Sequence, residues 1–468
     1  MKKSGIFSLC TVFVLCMTGC IQESVDIDNN LSVYERINKF IVDGVHTYYL
    51  WEAETDWNRY ENKATYAAYT DHDQLFNQLL YKDDLWSSLT DDIRGLENQF
   101  SGISTTFGYT LGFFYHPYTA GEVVAVVFYV SAQSPAEKAG LKRGDIIIRM
   151  NGAKITINNY LNLYYSSSLN VQCGVHDVEN EDFTPIPEIY NMIAVEMYED
   201  PIVASKIIEK EGVKIGYLCY TGYQKESEGE LIRLFAEFKS AGVNDVVLDL
   251  RYNPGGYART AQFLSSILAP ESDVKNKRIY LAHHYNAAYT AFMEKNGYDL
   301  NEKFMDTLSV NMDLKRLYVL TSNRTASASE ATMVGLKPYL DIVQIGDTTS
   351  GKYCGGVLLS PEDIYGEKNK SYFKEFENWG MYIMIYRYAN ITGISSFTSG
   401  LVPDFQIKEY AFDLKPFGDE ADPLLGRALA HIVGEQYEAL RSAKTAIPLT
   451  ALPTPKKPAD GLLIDYLR

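Results

Sequence analysis

A buried β-strand that runs into a glycine turn is encoded by Asp245-Val246-Val247-Leu248-Asp249-Leu250-Arg251-Tyr252-Asn253-Pro254-Gly255-Gly256. Its first six residues are mostly apolar, which is typical of a strand covered on both faces. Pro254 and the two glycines predict a turn directly after it. A strand of this kind needs helices on both sides of its sheet, so the segment favours an α/β core.

The chain on either side of this strand alternates between strand and helix patterns. Strands are predicted at Lys214 to Tyr220, 245–250, Arg316 to Thr321 and Ile342 to Gly346, and helices around Leu231 to Phe238, at Thr260 to Leu268 and from near Ser327. Such alternation implies βαβ units and a mainly parallel sheet. Residues 191–432 are therefore predicted to form the α/β core of a multidomain α+β protein.

Two smaller units are predicted before the core. Residues 31–104 show helical spacing of apolar residues from Val33 to Val45 and again behind a candidate N-cap at Asp71. Three tryptophans of this unit are interpreted as core residues: Trp51, Trp57 and Trp86. Residues 105–190 contain short β-like runs at Glu122 to Val130 and Asp145 to Met150. A length of 468 residues agrees with about three domains.

Residues 433–468 are predicted to be an extended tail. Four prolines lie there and argue against a further domain: Pro448, Pro453, Pro455 and Pro458. The composition is otherwise that of a packed protein, with 46% hydrophobic and 22% charged residues. A formal charge of −17 repels phosphate backbones, so nucleic acid is not an expected partner.

The N-terminus has the parts of an export signal. Lys2 and Lys3 precede an apolar run from Ile6 to Met17, and Thr18-Gly19-Cys20 follows. This ending resembles the cleavage site of bacterial lipoproteins, although Met17 fits that site loosely. Residues 1–19 are thus predicted to be removed, Cys20 to carry lipid, and residues 20–30 to be a tether. An ordinary signal peptide and an uncleaved anchor stay open as alternatives.

Each of these alternatives still exports the protein, and the lipoprotein prediction places it in the cell envelope, lipid-anchored outside the cytoplasm. The lipoprotein prediction adds the membrane as a partner through the N-terminal anchor. Only Cys173, Cys219 and Cys354 remain after the signal segment and Cys20, and their odd number predicts no disulfide framework. The sequence contains no CxxC metal pattern, and neither a metal nor an organic cofactor is expected.

A serine and a lysine follow two of the predicted core strands. Ser327 lies where Ser322-Asn323-Arg324-Thr325-Ala326-Ser327-Ala328-Ser329-Glu330 leaves a strand and enters a helix, so helix N–H groups favour negative charge there. By itself this pattern is typical of a helix cap. Lys352 comes 25 residues later, and a buried lysine can act as the base that a serine nucleophile needs. His283 and His284 are left open as spatial neighbours.

Three motifs together resemble the C-terminal processing (tail-specific) serine peptidases over about residues 105–430: 249–256, Ser327-Ala328-Ser329-Glu330 and Gly351-Lys352. The resemblance implies a core of the crotonase-like type (ClpP/crotonase), Ser327 as nucleophile and Lys352 as general base. It also implies an oxyanion hole formed by Gly256, with Gly255 beside it, and by Ala328, and a role for Glu330 in orienting the site.

This chain departs from the family pattern at three positions. Thr325 replaces the first serine of the nucleophile motif, and Pro338 occupies a position where some members have Asp. Gly356 stands where many members have a Gln that hydrogen-bonds the lysine. Either another group holds Lys352, or the enzyme is weaker than its relatives.

A peptide-binding module is implied before the core. Residues 129–148, with Ser134-Pro135-Ala136 and Gly140-Leu141-Lys142-Arg143-Gly144-Asp145, resemble the body of a PDZ domain. Leu111-Gly112-Phe113 resembles the loop of such domains that binds a terminal carboxylate with backbone N–H groups. The resemblance implies polypeptide substrates that are recognised through their C-termini. A module that only braces or gates the core is the alternative.

Two other functions compete with peptide hydrolysis. Gly346-Asp347-Thr348-Thr349-Ser350-Gly351-Lys352 nearly matches a phosphate-binding loop, but Tyr353 replaces the expected Ser or Thr and the residues after it are poor helix formers. The stronger competitor is a catalytically weak or inactive peptide-binding lipoprotein of the same fold, which Gly356 motivates. The sequence makes no prediction about oligomeric state.

Overall fold

The computed structural model describes residues 27–60, 62–437, 447–454 and 463–465. The predicted signal peptide, Cys20 and most of the tether lie outside these residues. Within them, no helix is long and apolar enough to cross a membrane.

The first described unit is helical, as the spacing of its apolar residues predicts. Ser32 caps the first helix and the Glu35 carboxylate accepts a hydrogen bond from the Ser32 amide, while Phe40 and Val45 are fully buried. Trp86 is partly buried against the core, as are Trp51 and Trp57. The elements are α1 (Val33–Tyr48), α2 (Trp57–Tyr60), α3 (Lys63–Ala67), α4 (His72–Leu79), β1 (Ser88–Thr90) and α5 (Ile93–Phe100), with a 3-10 turn at Glu52–Glu54.

The next unit is rich in strands. Its elements are β2 (Ile103–Thr106), β3 (Tyr109–Tyr115), β4 (Val123–Val130), α6 (Pro135–Ala139), β5 (Ile146–Met150), β6 (Ala153–Lys154), α7 (Asn162–Tyr165), β7 (Ser168–Asp177), β8 (Asp182–Ile193) and β9 (Val195–Tyr198). Five of these strands form one sheet in the order β3-β4-β5-β7-β8, to which β6 is added beside β5. Strand β3 is at the edge of this sheet, so one side of its backbone is open to another strand.

The family resemblance implies that Leu111-Gly112-Phe113 lies in a loop, and this placement is wrong, whereas the role of these residues in peptide binding stays a prediction. The three residues lie in the middle of β3. Leu111 and Phe113 are buried in the core of the β-rich unit, and the Leu111 amide donates to the Tyr164 hydroxyl at 2.7 Å. Burial of two large apolar side chains on one face stabilises a strand here, which a short sequence resemblance does not reveal.

The α/β core contains the predicted parallel sheet. Its strand order is β10-β11-β12-β16-β17-β20, and all neighbours are parallel except β10 and β11. The elements are β10 (Ile202–Lys210), β11 (Val213–Tyr220), α8 (Glu228–Ser240), β12 (Asp245–Asp249), β13 (Gly256–Tyr257), α9 (Ala258–Leu268), α10 (Glu271–Lys275), β14 (Ile279–Tyr285), α11 (Ala287–Lys295), β15 (Asn301–Lys303), β16 (Arg316–Thr321), α12 (Ala328–Leu336), β17 (Asp341–Gly346), β18 (Cys354–Leu359), α13 (Pro361–Tyr365), α14 (Lys370–Phe373), β19 (Gly380–Ala389), β20 (Phe405–Gln406) and α15 (Pro423–Val433). Short 3-10 turns lie at Lys225–Ser227, Glu367–Asn369, Lys374–Phe376 and Ala411–Asp413.

A second, mixed sheet completes the core, and the sequence did not predict it. Its strands are ordered β13-β21-β18-β19-β14-β15, where β21 is Leu463–Asp465, and β1 of the helical unit pairs with β19. Strand β19 is buried along almost its whole length. Helix α12 packs against α9 and also contacts β14 and β19, so it lies between the parallel sheet that precedes it and this second sheet.

The described part of the C-terminal tail packs on the domains instead of extending from them. Ala451 forms a β-bridge with Phe114, and β21 pairs with both β13 and β18. The buried side chains of Leu452, Leu463 and Ile464 explain this packing. Prolines mark the segment as non-helical, but they do not exclude pairing with an existing sheet.

Candidate active site

Ser327 is the last residue of the turn that joins β16 to α12. Its backbone has φ 62° and ψ −114°, a conformation that side-chain-bearing residues rarely adopt. Strain of this kind costs about 1–3 kcal/mol and persists where the surrounding structure enforces it, as at nucleophiles on sharp strand-to-helix turns. The Ser327 hydroxyl oxygen is buried and has no hydrogen-bond partner within the described part of the chain. It is therefore placed at a helix N-terminus without being used as a cap.

Lys352 is fully buried in the segment between β17 and β18. Burial lowers the pKa of its ammonium to about 8, because the charged form loses its hydration. The amine nitrogen lies 5.9 Å from the centre of the Trp86 ring and 3.3 Å from the Tyr382 hydroxyl oxygen. A substantial fraction of this amine is neutral near physiological pH, as a general base requires.

The Glu330 carboxylate joins the two predicted catalytic segments. One oxygen accepts from the backbone amides of Ser327 at 2.7 Å and Lys352 at 2.9 Å. The other accepts from the Gly351 amide at 2.7 Å and the Thr349 hydroxyl at 2.5 Å. Burial raises the pKa of Glu330, and the four donated hydrogen bonds act in the opposite direction. Glu330 thus positions both backbones without touching either reacting side-chain atom.

The turn after β12 lies against the Ser327 segment. Asn253 organises it: its side-chain amide donates to the Tyr220 carbonyl at 3.0 Å, and its side-chain oxygen accepts from the Gly255 amide at 2.9 Å. The Asn253 carbonyl accepts from the Ala326 amide at 3.2 Å. Since the Gly255 amide is already used, Gly256 and Ala328 are the better candidates for an oxyanion hole.

Gly256 cannot be replaced by another residue without disturbing this turn. Its φ is 135°, and a Cβ there would lie 2.4 Å from the carbonyl oxygen of Tyr223. Ala328 is the first residue of α12, where a backbone N–H has no partner within the helix. The turn that contains Gly256 contacts the start of α12 through Asn253, whose carbonyl accepts from the Ala326 amide and the Ser329 hydroxyl.

Arg251 anchors the start of the same turn. Its guanidinium is 1% exposed and forms ion pairs with Asp249 at 2.6 Å, Glu409 at 2.6 Å and Asp422 at 2.8 Å. Glu409 also pairs with Arg143 of the β-rich unit. Removing one partner from a buried network costs about 3–5 kcal/mol, so this cluster holds the turn and the β-rich unit together.

Two models of known protein families match the chain. Residues 214–407 match the model of peptidase family S41, and residues 36–88 match that of the peptidase S41 N-terminal domain. The chain belongs to peptidase family S41.

Individual relatives are distant. The S41 chain is 27% identical over 225 residues to the carboxy-terminal processing protease CtpA of Bacillus subtilis, an alignment that covers 47% of this chain and 42% of CtpA. It is 22% identical over 325 residues to a carboxyl-terminal-processing protease of Synechocystis, covering 68% and 67% of the two chains. A Bacteroides fragilis protein assigned to the S41 proteases has a solved structure that superposes with a TM-score of 0.67 at 24% identity, over 84% of this chain and 97% of that one. That superposition shows a shared fold.

Tyr382 is a site residue of this S41 protein that sequence reasoning missed. A Cβ at Gly356 would lie 2.6 Å from Cζ of the Tyr382 ring, so the glycine leaves room for the ring that reaches Lys352. Tyr388, further along β19, places its hydroxyl 2.8 Å from the Lys352 carbonyl oxygen and 3.4 Å from that of Ser327. The available signal was the alternating spacing of Tyr382, Tyr386 and Tyr388, which is typical of a strand. This spacing does not reveal the register shift between Met384 and Tyr386 in the pairing of β19 with β18.

The histidines left open by the sequence do not serve Ser327. His283 stacks on Tyr386 with ring centres 4.0 Å apart, and its Nε2 lies 3.7 Å from the Glu302 carboxylate. His284 is exposed. Ligand atoms of His283, Glu302 and Asp465 lie within 4.8 Å of one another, which is the arrangement among the described residues of this S41 chain that could hold a metal ion.

The phosphate-binding-loop interpretation is wrong for this S41 chain. That motif needs a helix directly after the lysine, so that helix N–H groups can face the phosphates. The residues after Lys352 instead form strand β18. Cys173, Cys219 and Cys354 are buried free thiols, in agreement with the expected lack of a disulfide framework.

Proposed function

We propose that this S41 protein is a serine endopeptidase of the C-terminal processing type, which hydrolyses peptide bonds in exported polypeptides with Ser327 as nucleophile and Lys352 as general base. The observation that carries the proposal is the shared carboxylate of Glu330, which binds the backbone amides of both residues. By binding both backbones, this carboxylate fixes the two motifs relative to each other, as is needed if both act on the same substrate bond.

The reaction proceeds in two acyl transfers. Ser327 Oγ attacks the scissile carbonyl carbon while the neutral Lys352 amine takes its proton, and the amides of Gly256 and Ala328 bind the oxyanion. The C–N bond then breaks as the Lys352 ammonium returns the proton to the leaving amine. Water next attacks the acyl-enzyme and gives a proton to Lys352. The bond to Ser327 Oγ then breaks as Lys352 passes this proton to Oγ, which releases the new carboxyl terminus and restores both residues.

The chemistry requires a side-chain rotation. In this structure the Lys352 amine bonds to Tyr382, and the Ser327 hydroxyl has no partner in the described part of the chain. Catalytic hydrogen bonds often form only when substrate is bound, so this arrangement agrees with a resting state.

The finer assignments belong to the same proposal. The core is of the crotonase-like type, and the β-rich unit is PDZ-like, with an edge strand, β3, that takes polypeptide in extended form. Cys20 carries a lipid that holds the protein at the membrane outside the cytoplasm. A fatty-acid probe should label the wild-type chain and fail to label Cys20→Ser.

One experiment tests the catalytic assignment. An active-site-directed serine reagent should modify Ser327, and an unstructured polypeptide should be cleaved by the wild type and by Ser329→Ala but left intact by Ser327→Ala. Ser329 is a matched control because it is a buried serine in the same helix start. If the reagent fails to label a folded chain, the protein is a peptide-binding relative without activity.

A further inference from the structure

The C-terminal segment pairs with the open edge of the β-rich unit. The Tyr115 amide donates to the Thr450 carbonyl at 3.0 Å, and the Leu452 amide donates to the Phe113 carbonyl at 2.9 Å. Leu452 is 7% exposed and packs in the same hydrophobic core as Leu111 and Phe113. This is the geometry of strand addition, in which backbone bonds supply affinity and alternate side chains enter pockets.

A later part of the same segment pairs beside the predicted catalytic groups. Strand β21 lies between β13 and β18, with Leu463 opposite Gly256 and Ile464 opposite both Tyr257 and Gly356. The Leu463 carbonyl accepts a hydrogen bond from the Tyr382 hydroxyl at 2.7 Å, and Tyr382 is the residue that contacts the Lys352 amine. Leu463 therefore touches both the oxyanion turn and the partner of the base.

A cavity connects the two places. It has a volume of about 600 Å³ and lies between the β-rich unit and the core, with Tyr129 on one side and Gly255 and Gly256 on the other. Leu452 and Thr454 of the C-terminal segment form part of its wall. A polypeptide that leaves the edge of β3 thus has space to approach the oxyanion turn.

We propose that these surfaces form one peptide-binding path, from the edge of β3 to the gap between β13 and β18, and that the C-terminal segment of this chain is its resident ligand. The path takes an extended polypeptide with apolar side chains at the two paired places, as Leu452 and Leu463 show. A substrate must displace the segment before it reaches Ser327. This inference rests on the proposed peptidase function.

The segment is a strong competitor because it is part of the same chain. A tethered ligand acts at an effective concentration of the order of millimolar, far above the usual concentration of a free substrate. Its short strand of three residues, Leu463–Asp465, also offers few backbone bonds to lose on release. Because the segment is tethered, it covers the path effectively, and because its strand is short, a longer substrate can displace it.

The test compares the full chain with two variants. The first variant ends at Thr454 and therefore lacks β21. The second is the full-length chain with Leu463→Asp. Burying the charged aspartate is unfavourable, so β21 should leave the sheet in this variant. For an unstructured polypeptide substrate we expect kcat/KM to rise at least about tenfold in both variants. A synthetic peptide of residues 455–468, which the shortened chain lacks, should then inhibit that chain, whereas the same residues in reversed order should not.

The possible failures are distinguishable. If both variants keep their fold and Ser327 labelling but show an unchanged or lower kcat/KM, the segment is not a competitor and the inference is wrong. Unfolding of both variants would also overturn it, since β21 would then be a structural strand. If no form hydrolyses the substrate and the serine reagent labels none of them, the proposed function itself fails.

Discussion

The Lys352 amine nitrogen lies 3.3 Å from the hydroxyl oxygen of Tyr382, and both side chains are fully buried. This contact answers the question raised by Gly356. The residue type that many relatives use to hold the lysine is absent, and a tyrosine from β19 fills the space that the glycine leaves open. Tyr382 is therefore a positioning residue that acts through Lys352.

Replacing Tyr382 by Phe should lower kcat/KM by about tenfold and move the alkaline rise of activity to lower pH. The hydroxyl accepts a bond from the ammonium and so favours the charged lysine; without it, the pKa of Lys352 falls further. The pH profile of hydrolysis measures this shift, which a purely structural effect would not cause. Tyr386→Phe is the matched control, because the Tyr386 hydroxyl is buried on the same strand and has no hydrogen-bond partner among the described residues. A profile that keeps its midpoint in Tyr382→Phe would refute the assignment.

The acylation rate should increase with pH through about 8. Burial depresses the pKa of Lys352 to about 8, and only the deprotonated amine accepts the Ser327 proton. Single-turnover measurements with a serine-directed reagent report this step directly, so slow product release does not hide it. An acylation rate that stays constant from about pH 6 to about pH 9 would exclude Lys352 as the base.

Lys352→Met should abolish hydrolysis and stabilise the fold at neutral pH. The folded pKa lies below the unfolded one, so the unfolded chain binds more protons between the two values and stability rises with pH through that window. Below pH 8, burial of the charged lysine therefore lowers the free energy of unfolding of the wild type by about 3 kcal/mol. A neutral side chain of similar length avoids this loss of stability. Urea unfolding at pH 7 and at about pH 10 should show a gain for the variant that shrinks at the higher pH. A variant less stable than the wild type at pH 7 would contradict this reasoning.

Glu330→Gln should reduce kcat by about a hundredfold with a small change in KM. An amide nitrogen cannot accept the bonds donated by the backbone, so one pair of the four hydrogen bonds at this carboxylate is lost and the Ser327 and Lys352 segments separate. Glu35→Gln is a matched control, since Glu35 also accepts from a serine amide at the start of a helix but lies at the exposed capping box of α1. Equal activity of the two variants would show that Glu330 has no positioning role.

The sequence by itself determined the parts of this protein that depend on neighbouring residues. Apolar runs such as 245–250 specify strands, and the residues around Pro254 and Ser327 specify turns, because these preferences act within a few residues of the chain. The mainly parallel character of the sheet and the position of Ser327 at a helix start followed from them.

Only the tertiary structure decided the features that join distant segments. Tyr382 reaches Lys352 across two paired strands, Leu111 and Phe113 face a domain core, and Leu463 enters a sheet beside Gly256. Local periodicity states which face of a strand is apolar, but not which other strand it will pair with. The pKa of Lys352 belongs to the same class, because it depends on how completely Trp86, Tyr382 and their neighbours exclude water from one amine.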